Sequence, residues 1–215
     1  MSFAVIIPAQ ETNKYHRLGD LAPFGDTTLL EWKISQCKEF MESSKIYISS
    51  DSKVIEGIAR KEDVNFIKRK KQIPYGEIII NTLSGVSENI IIWTNPTAPF
   101  LGLKDYLSMM QKYENNNINS IVSVHTKFDY IYYNNQRLNF SDKFTSRNIL
   151  KPVKIVTNGC YIVEKELALG GASLYSDNPF LFELDYLSAV EIKDLHTYEI
   201  SLELISAYFK RDLGV

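Results

Sequence analysis

Five apolar runs punctuate the chain up to about residue 124: FAVIIPA (3–9), KIYIS (45–49), VNFIK (64–68), NIIIWT (89–94) and SIVSV (120–124). Each has strand length and is close to all-apolar rather than alternating, the pattern of strands covered on both faces in a parallel sheet. Between the runs, apolar residues recur at helical spacing. In TTLLEWKISQCKEF, Leu30, Ile34 and Cys37 fall on one face with Leu29 and Trp32 beside them. SKVIEGIARKE, YGEIIINTLSGVSE and LKDYLSMMQKYE repeat that pattern. Alternating strands and helices imply right-handed crossovers. The expected fold is α/β: a doubly wound, mostly parallel, Rossmann-like sheet with helices on both faces.

The polar run ENNNINS (114–120) reads as a solvated turn, and the pattern loosens from about 125 to 150. There HTKFDYIYYNNQRLNF suggests two strands around an Asn134-Asn135 hairpin turn. This small β-hairpin excursion suits a dimerisation arm or a lid. Regular structure resumes in VKIVTNGCYIVEKELAL, where a strand holding Tyr161 and Val163 runs into a short helix. The chain closes with FLFEL, then EIKDLH as a further strand, then a helix over TYEISLELISAYFKR. No internal repeat divides it, and residues 1–215 read as one domain.

Composition narrows the class. With 45% hydrophobic and 23% charged residues the chain is ordinary for a globular protein. A net charge of −2 and a pI near 6.0 give no electrostatic reason to expect a nucleic-acid or membrane partner. Cys37 and Cys160 match no metal spacing and read as buried free thiols rather than a disulfide. The N-terminal MSFAVIIPAQ lacks a basic region, and no apolar run approaches the ~20 residues of a membrane helix. A cytoplasmic protein is expected.

The chemistry should lie at the carboxyl ends of the strands, where such sheets bind ligands. The loop over 10–26 is far longer than the ~2–6 residues usual after a strand, and it carries Lys14, His16, Arg17, Asp20 and Asp26. It leads from a strand to a helix, where phosphates are often held by backbone N–H groups, and Lys14 can serve as a point charge. The alternative is a solvated loop of mixed charge. Glu11 would repel a triphosphate unless a metal intervenes or it points outward. In ISSDS (48–52), Ser50, Asp51 or Ser52 can cap the next helix, and Asp51 can instead face a ligand. In IIIWTNPTAPF, Pro96 and Pro99 fix a turn that presents Asn95 and Thr97. In VEIKDLHTYE, Asp194 and His196 would share a strand face and can share a divalent cation, although Mg²⁺ prefers oxygen ligands. Alternatively this stretch caps the last helix, with Thr197 opening it and Glu199 in its first turn.

The order of these motifs resembles the acylneuraminate cytidylyltransferases, which make CMP-sialic acid, and the related enzymes for Kdo-type and legionaminic-type sugars. That family opens with I-I-P-A-R-x-G-S-K, then K-N, then a G-K-P-L turn into a helix; here the text is IIPAQETNK, then GD, then GDTTLLEW. Its S-T-D-S is similar to SSDS at 49–52, its Q-P-T-S-P-L-R to NPTAPFL at 95–101, its N-G-A-[IL]-Y-I to NGCYIV at 158–163, and its D-I-D-T-x-E-D to DLHTYEI at 194–200. The motifs keep their order from residue 4 to about 210.

The resemblance implies a reaction in which a sugar-acid hydroxyl attacks the α-phosphorus of CTP and expels pyrophosphate, with Mg²⁺ stabilising developing charge. It implies nucleotide contacts from Pro8, Ala9, Gln10, Asn13, Lys14, Arg69, Asn95 and Thr97, and substrate contacts from Asn158, Gly159 and Asp51. Lys14 and Asp194 would be catalytic, Asp194 and His196 would bind the metal, and a homodimer is expected through the excursion. The chain also departs from the pattern. Gln10 stands for the family's Arg, Gly19 for its second Lys, Asp20 for the following Asn, and Leu101 for the Arg ending Q-P-T-S-P-L-R. Shifting the closing register by three brings Glu191 and Lys193 to the metal positions, and these cannot share a cation. Two main readings follow: a cytidylyltransferase with an altered acceptor, or a catalytically impaired member that binds or regulates. A glycosyltransferase ranks last, because SSDS offers one Asp where a D-x-D is usual.

Overall fold

The computed structural model describes residues 1–71, 73–115, 118–141 and 146–212. Residues 116–117 of the expected polar turn and 142–145 of the expected excursion lie outside them. Seven strands form the main sheet: β1 (Phe3–Pro8), β4 (Ile46–Ser50), β5 (Asn65–Lys68), β6 (Ile90–Thr94), β7 (Ser120–Lys127), β10 (Val153–Glu164) and β11 (Phe180–Glu183). Their order is β11-β7-β10-β6-β1-β4-β5. Two-residue ribbons make up the rest, β2 (Pro23–Phe24) with β3 (Thr27–Thr28) and β8 (Tyr132–Tyr133) with β9 (Gln136–Arg137). Asn134 and Asn135 both take positive φ between β8 and β9, as a two-residue hairpin turn requires.

The all-apolar strands are covered on both sides. One face buries Val5, Ile7 and Ile92 against α1 (Leu29–Lys38), α2 (Lys53–Lys61) and α4 (Leu103–Asn115), through Leu30, Ile34, Ile55, Ala59, Tyr106 and Met109. The other buries Ala4, Ile6, Ile91 and Trp93 against α3 (Tyr75–Leu83) and α5 (Lys165–Gly171). Helices α1 and α2 start on side-chain caps. Thr28 accepts from the Glu31 amide at 3.2 Å, and Ser52 accepts from the Val54 and Ile55 amides. A third cluster packs α6 (Leu195–Asp212) onto the long first loop through Tyr198, Ile205, Tyr15 and Phe24. Cys37 and Cys160 are buried and free. No helix among the described residues is long and apolar enough to cross a membrane.

The sheet is mostly parallel, as expected, and one expectation changes. The strand holding Tyr161 is antiparallel to both its neighbours, β6 and β7, in a sheet otherwise parallel. The segment expected as a strand at EIKDLH is not one. Only Ile192 of its first three residues is buried, and α6 already begins at Leu195. Capping decides this: Asp194 accepts from the Thr197 amide at 2.7 Å, so the chain turns helical there. Asp194 and His196 therefore do not share a strand face.

Candidate active site

Strands β4 and β5 lie on one side of β1 and β6 on the other, which makes the carboxyl end of β1 the point where the strand order reverses. The long loop begins there. Its neck is closed by three hydrogen bonds: the Gln10 amide to Asp20 Oδ2 at 2.7 Å, the Asp20 amide to the Gln10 carbonyl at 2.9 Å, and the Tyr15 hydroxyl to Asp20 Oδ1 at 2.5 Å. Gly19 sits under the neck at φ +51°, where an added Cβ would lie 2.4 Å from the Gln10 oxygen and 2.7 Å from the Thr12 nitrogen. No side chain fits there unless the neck opens. Burial lifts the Asp20 carboxyl to about 6, against the lowering effects of Tyr15, the Gln10 amide and Arg69. Tyr198 of α6 braces the loop, donating to the Pro23 carbonyl at 2.5 Å with its ring 5.2 Å from His16.

A cavity of about 560 Å³ opens beside this loop, lined by Gln10, Glu11, Thr12, Asp51, Ser52, Arg69, Lys70, Lys71, Ile73 and Ile78. It continues toward Lys53 and Lys68. Arg69, 7% exposed, donates to the Ala9 carbonyl at 2.9 Å. Desolvation lowers the Arg69 pKa, and Asp51 and Asp20 counter it. Lys70 and Lys71 make no ion pair among the described residues. Glu11 accepts from the Ser52 hydroxyl at 2.5 Å, and Asp51 lines the cavity near it. Of the residues expected to hold nucleotide, Gln10 and Arg69 line the cavity. Pro8 and Ala9 carry the strand into it, the Ala9 amide bonding the Ser49 carbonyl at 2.9 Å. Asn13 and Lys14 are exposed on the loop outside the lining, with Asn13 Oδ1 accepting from the Lys14 amide at 2.7 Å. The sequence reading missed Lys70 and Lys71, although the signal was present as four consecutive basic residues, KRKK, at 68–71.

A second polar group lies across β6. Asn95 Nδ2 donates to the Asn158 carbonyl at 2.6 Å. Asn158 holds φ +49° in the irregular stretch of β10, receives the Tyr161 hydroxyl at 2.5 Å and donates to Glu191 at 3.0 Å. Glu191 pairs with Lys193 at 3.1 Å, and the intervening Ile192 amide reaches the Thr97 carbonyl at 2.8 Å. Gly159 is buried and its carbonyl accepts from the Thr94 hydroxyl at 2.8 Å. The turn bearing Asn95 and Thr97 is pinned from α1: Trp32 and Gln36 donate to the Pro99 carbonyl, and the fully buried Lys33 to the Ala98 and Leu101 carbonyls. Burial pushes the Lys33 ammonium down to about 8. The structure thus brings together Asn95, Thr97, Asn158 and Gly159, and adds Glu191 and Lys193. Asp194 and His196 stand at the exposed start of α6, where the Thr197 amide and hydroxyl hold the Asp194 carboxylate below its ordinary range. No group of three or more His, Cys, Asp or Glu among the described residues is placed to hold a metal ion.

A comparison with curated proteins finds no match. Among solved structures, the chain is similar to a CMP:2-keto-3-deoxy-manno-octonic acid synthetase complexed with CTP, at 11% identity and TM-score 0.73, covering 97% of this chain and 100% of that one. It is also similar to the 4-diphosphocytidyl-2C-methyl-D-erythritol synthase of Anaerococcus prevotii, at 14% identity and TM-score 0.71, covering 95% and 98%. The 2-C-methyl-D-erythritol 4-phosphate cytidylyltransferase of Thermus thermophilus follows at 14% identity and TM-score 0.66, covering 96% and 100%. At such identities these likenesses concern the fold. The sequence itself matches a family model described as cytidylyltransferase over residues 4–166, well over half its length, and the chain belongs to the cytidylyltransferase family.

Proposed function

We propose that the protein transfers CMP from CTP to a sugar acid of the nonulosonate or Kdo type, or a related anionic acceptor, releasing pyrophosphate, as a divergent relative of the acylneuraminate enzymes. The observation that carries this reading is the cavity at the end of β1, where Arg69, Lys70 and Lys71 stand against Glu11 and Asp51. That surplus of positive charge replaces what Gln10 and Gly19 no longer supply. In the proposed step the acceptor hydroxyl gives up its proton to solvent and its oxygen bonds to the α-phosphorus, while the bond to the bridging oxygen breaks and pyrophosphate departs. Cations fixed around the phosphates favour this because negative charge grows on the leaving group. Lys14, on the exposed loop, would swing its ammonium to the same phosphates, and Asn95, Thr97, Asn158 and Gly159 would border the acceptor.

Mg²⁺, when bound with the triphosphate, would supply further neutralisation. Asp194 and His196 offer it one carboxylate, already engaged as a helix cap, whereas Glu11 and Asp51 are the carboxylates lining the cavity. A homodimer through the 125–150 excursion fits the exposure there of Tyr133 at 67% and Ile149 at 72%. Cytoplasmic placement belongs to the same reading.

Calorimetric titration with CTP in Mg²⁺ tests it, with UTP, ATP and GTP as controls, followed by pyrophosphate release with sugar acids as acceptors. Selective CTP binding and turnover that falls about 10²-fold in Lys14→Ala are expected. Binding without turnover would favour the impaired, regulatory reading, and no binding by any nucleotide would defeat the assignment.

A further inference from the structure

Asp20 does not line the cavity, yet it organises the loop that does. At 3% exposure both its oxygens are engaged, Oδ2 by the Gln10 amide and Oδ1 by the Tyr15 hydroxyl. Its own amide returns to the Gln10 carbonyl, so the segment between them is a ring closed at the neck. Inside the ring the Asn13 and Gly19 amides both reach the His16 carbonyl, at 3.2 and 2.9 Å. The amides of Glu11 and Thr12, whose residues line the cavity, make no hydrogen bond among the described residues. Arg69 grips the other side of the neck through the Ala9 carbonyl. The neck therefore lies between a buried carboxylate and a buried guanidinium.

Ordering a loop of this length costs backbone freedom at every residue. A ring closed during folding meets that cost before any ligand arrives, which is how preorganisation raises affinity. We propose that Asp20 is the positioning residue of this loop, holding residues 10–19 in the ring shape that presents the Glu11 and Thr12 amides, and Lys14 beyond them, to the phosphates of the nucleotide. The proposal rests on the cytidylyltransferase reading above.

The groups facing Asp20 are Tyr15 and the Gln10 amide from its own loop and Arg69 from beyond β5, with Tyr198 of α6 behind Tyr15. Arg69 is the charged group among them. The test pairs Asp20→Asn, which keeps the shape and removes the charge, with Tyr15→Phe, which removes one neck bond. CTP affinity is measured by calorimetry from pH 5 to 8, and exchange of the Gln10 amide is measured without nucleotide. At pH 7.5, Asp20→Asn should weaken CTP binding by about tenfold. The ratio to wild type should shrink toward one as pH falls from 7.5 to 5, because wild-type Asp20 then also loses its charge. Gln10 exchange should accelerate about tenfold or more in both variants.

Wild-type affinity in Asp20→Asn, unchanged Gln10 protection, or a ratio constant across pH would each overturn the positioning role. Should Asp20→Asn fail to fold, Tyr15→Phe decides through its CTP affinity and its Gln10 exchange. Failure of the wild type to bind CTP would strike the cytidylyltransferase reading instead, and the exchange measurement would then judge the ring alone.

Discussion

The same substitution at two glycines should move stability in opposite directions. Gly19→Ala places a Cβ 2.4 Å from the Gln10 oxygen and 2.7 Å from the Thr12 nitrogen, both backbone atoms, at φ +51°. The left-handed backbone alone costs an L-residue about 1–2 kcal/mol. Relieving the overlap means opening the neck, and its two hydrogen bonds between Gln10 and Asp20 contribute roughly 1 kcal/mol each. The sum is a loss of about 3–4 kcal/mol. Gly57 lies in the middle of α2, with nothing within 4 Å of an added Cβ. There alanine should stabilise by about 0.5–1 kcal/mol, by restricting the unfolded chain and favouring the helix. For a chain of this size 1 kcal/mol moves Tm by about 2–4 °C, so Gly19→Ala should melt about 6–16 °C lower and Gly57→Ala about 1–4 °C higher. Thermal unfolding by circular dichroism gives both values, and urea midpoints at unchanged slope confirm that stability itself moved. A Gly19→Ala protein melting within about 2 °C of wild type would refute the crowded, left-handed geometry assigned to the neck.

Three further outcomes are expected. Replacing Lys70 and Lys71 together by Gln should weaken CTP binding about tenfold or more and flatten its salt dependence, read by titration at two ionic strengths; unchanged affinity would remove both lysines from the site. Asp20 titrates at about 6 in the fold against an ordinary 3.8, so the fold favours its protonated form. Its contribution to stability is therefore fully present below about 3.8 and lost as pH rises through 6. Wild type should gain about 2 kcal/mol relative to Asp20→Asn between pH 7 and 4, by urea unfolding of both proteins; a constant difference would contradict the burial argument. Asn158→Ala keeps the φ of +49° and strips partners from Tyr161 and Glu191, whereas Asn158→Gly strips the same partners but relieves the strain. The glycine variant should be the more stable of the two by about 1 kcal/mol in urea, and equal midpoints would place the strain elsewhere.

The central sheet was legible because FAVIIPA and NIIIWT are apolar at successive positions, which only a doubly covered strand tolerates. Ser52, one of the three caps offered by ISSDS, announced α2 for a local reason, since a cap is an interaction within one turn. Strand direction was not legible: the side-chain alternation of VKIVTNGCYIV is the same read either way, and its antiparallel placement depends on partners distant in sequence. EIKDLH misled because its apolar residues, Ile192 and Leu195, suit a short strand while the Asp194 cap starts a helix. At the site, Arg69 and the Asn95 turn were visible as motifs. Asp20 read as one more loop charge, because its burial is created by Tyr15 and by the return of the chain to Gln10. Glu191 was set aside in favour of Asp194, which pairing along the sequence alone had preferred.

The antiparallel β10 also governs the order in which the molecule can be assembled. It inserts between β6 and β7, which precede it in the chain and do not pair with each other. Until residues 153–164 arrive, the growing sheet exists as separate pieces with apolar β6 and β7 edges unsatisfied, and such edges invite pairing with other chains. The Asn95–Asn158 bond joins residues 63 positions apart across that last insertion. Long-range closures of this kind are slow steps. Closure of the sheet and formation of the Asn95–Asn158 contact are thus one event, so a nascent chain that stops short of β10 has neither a finished core nor this polar group.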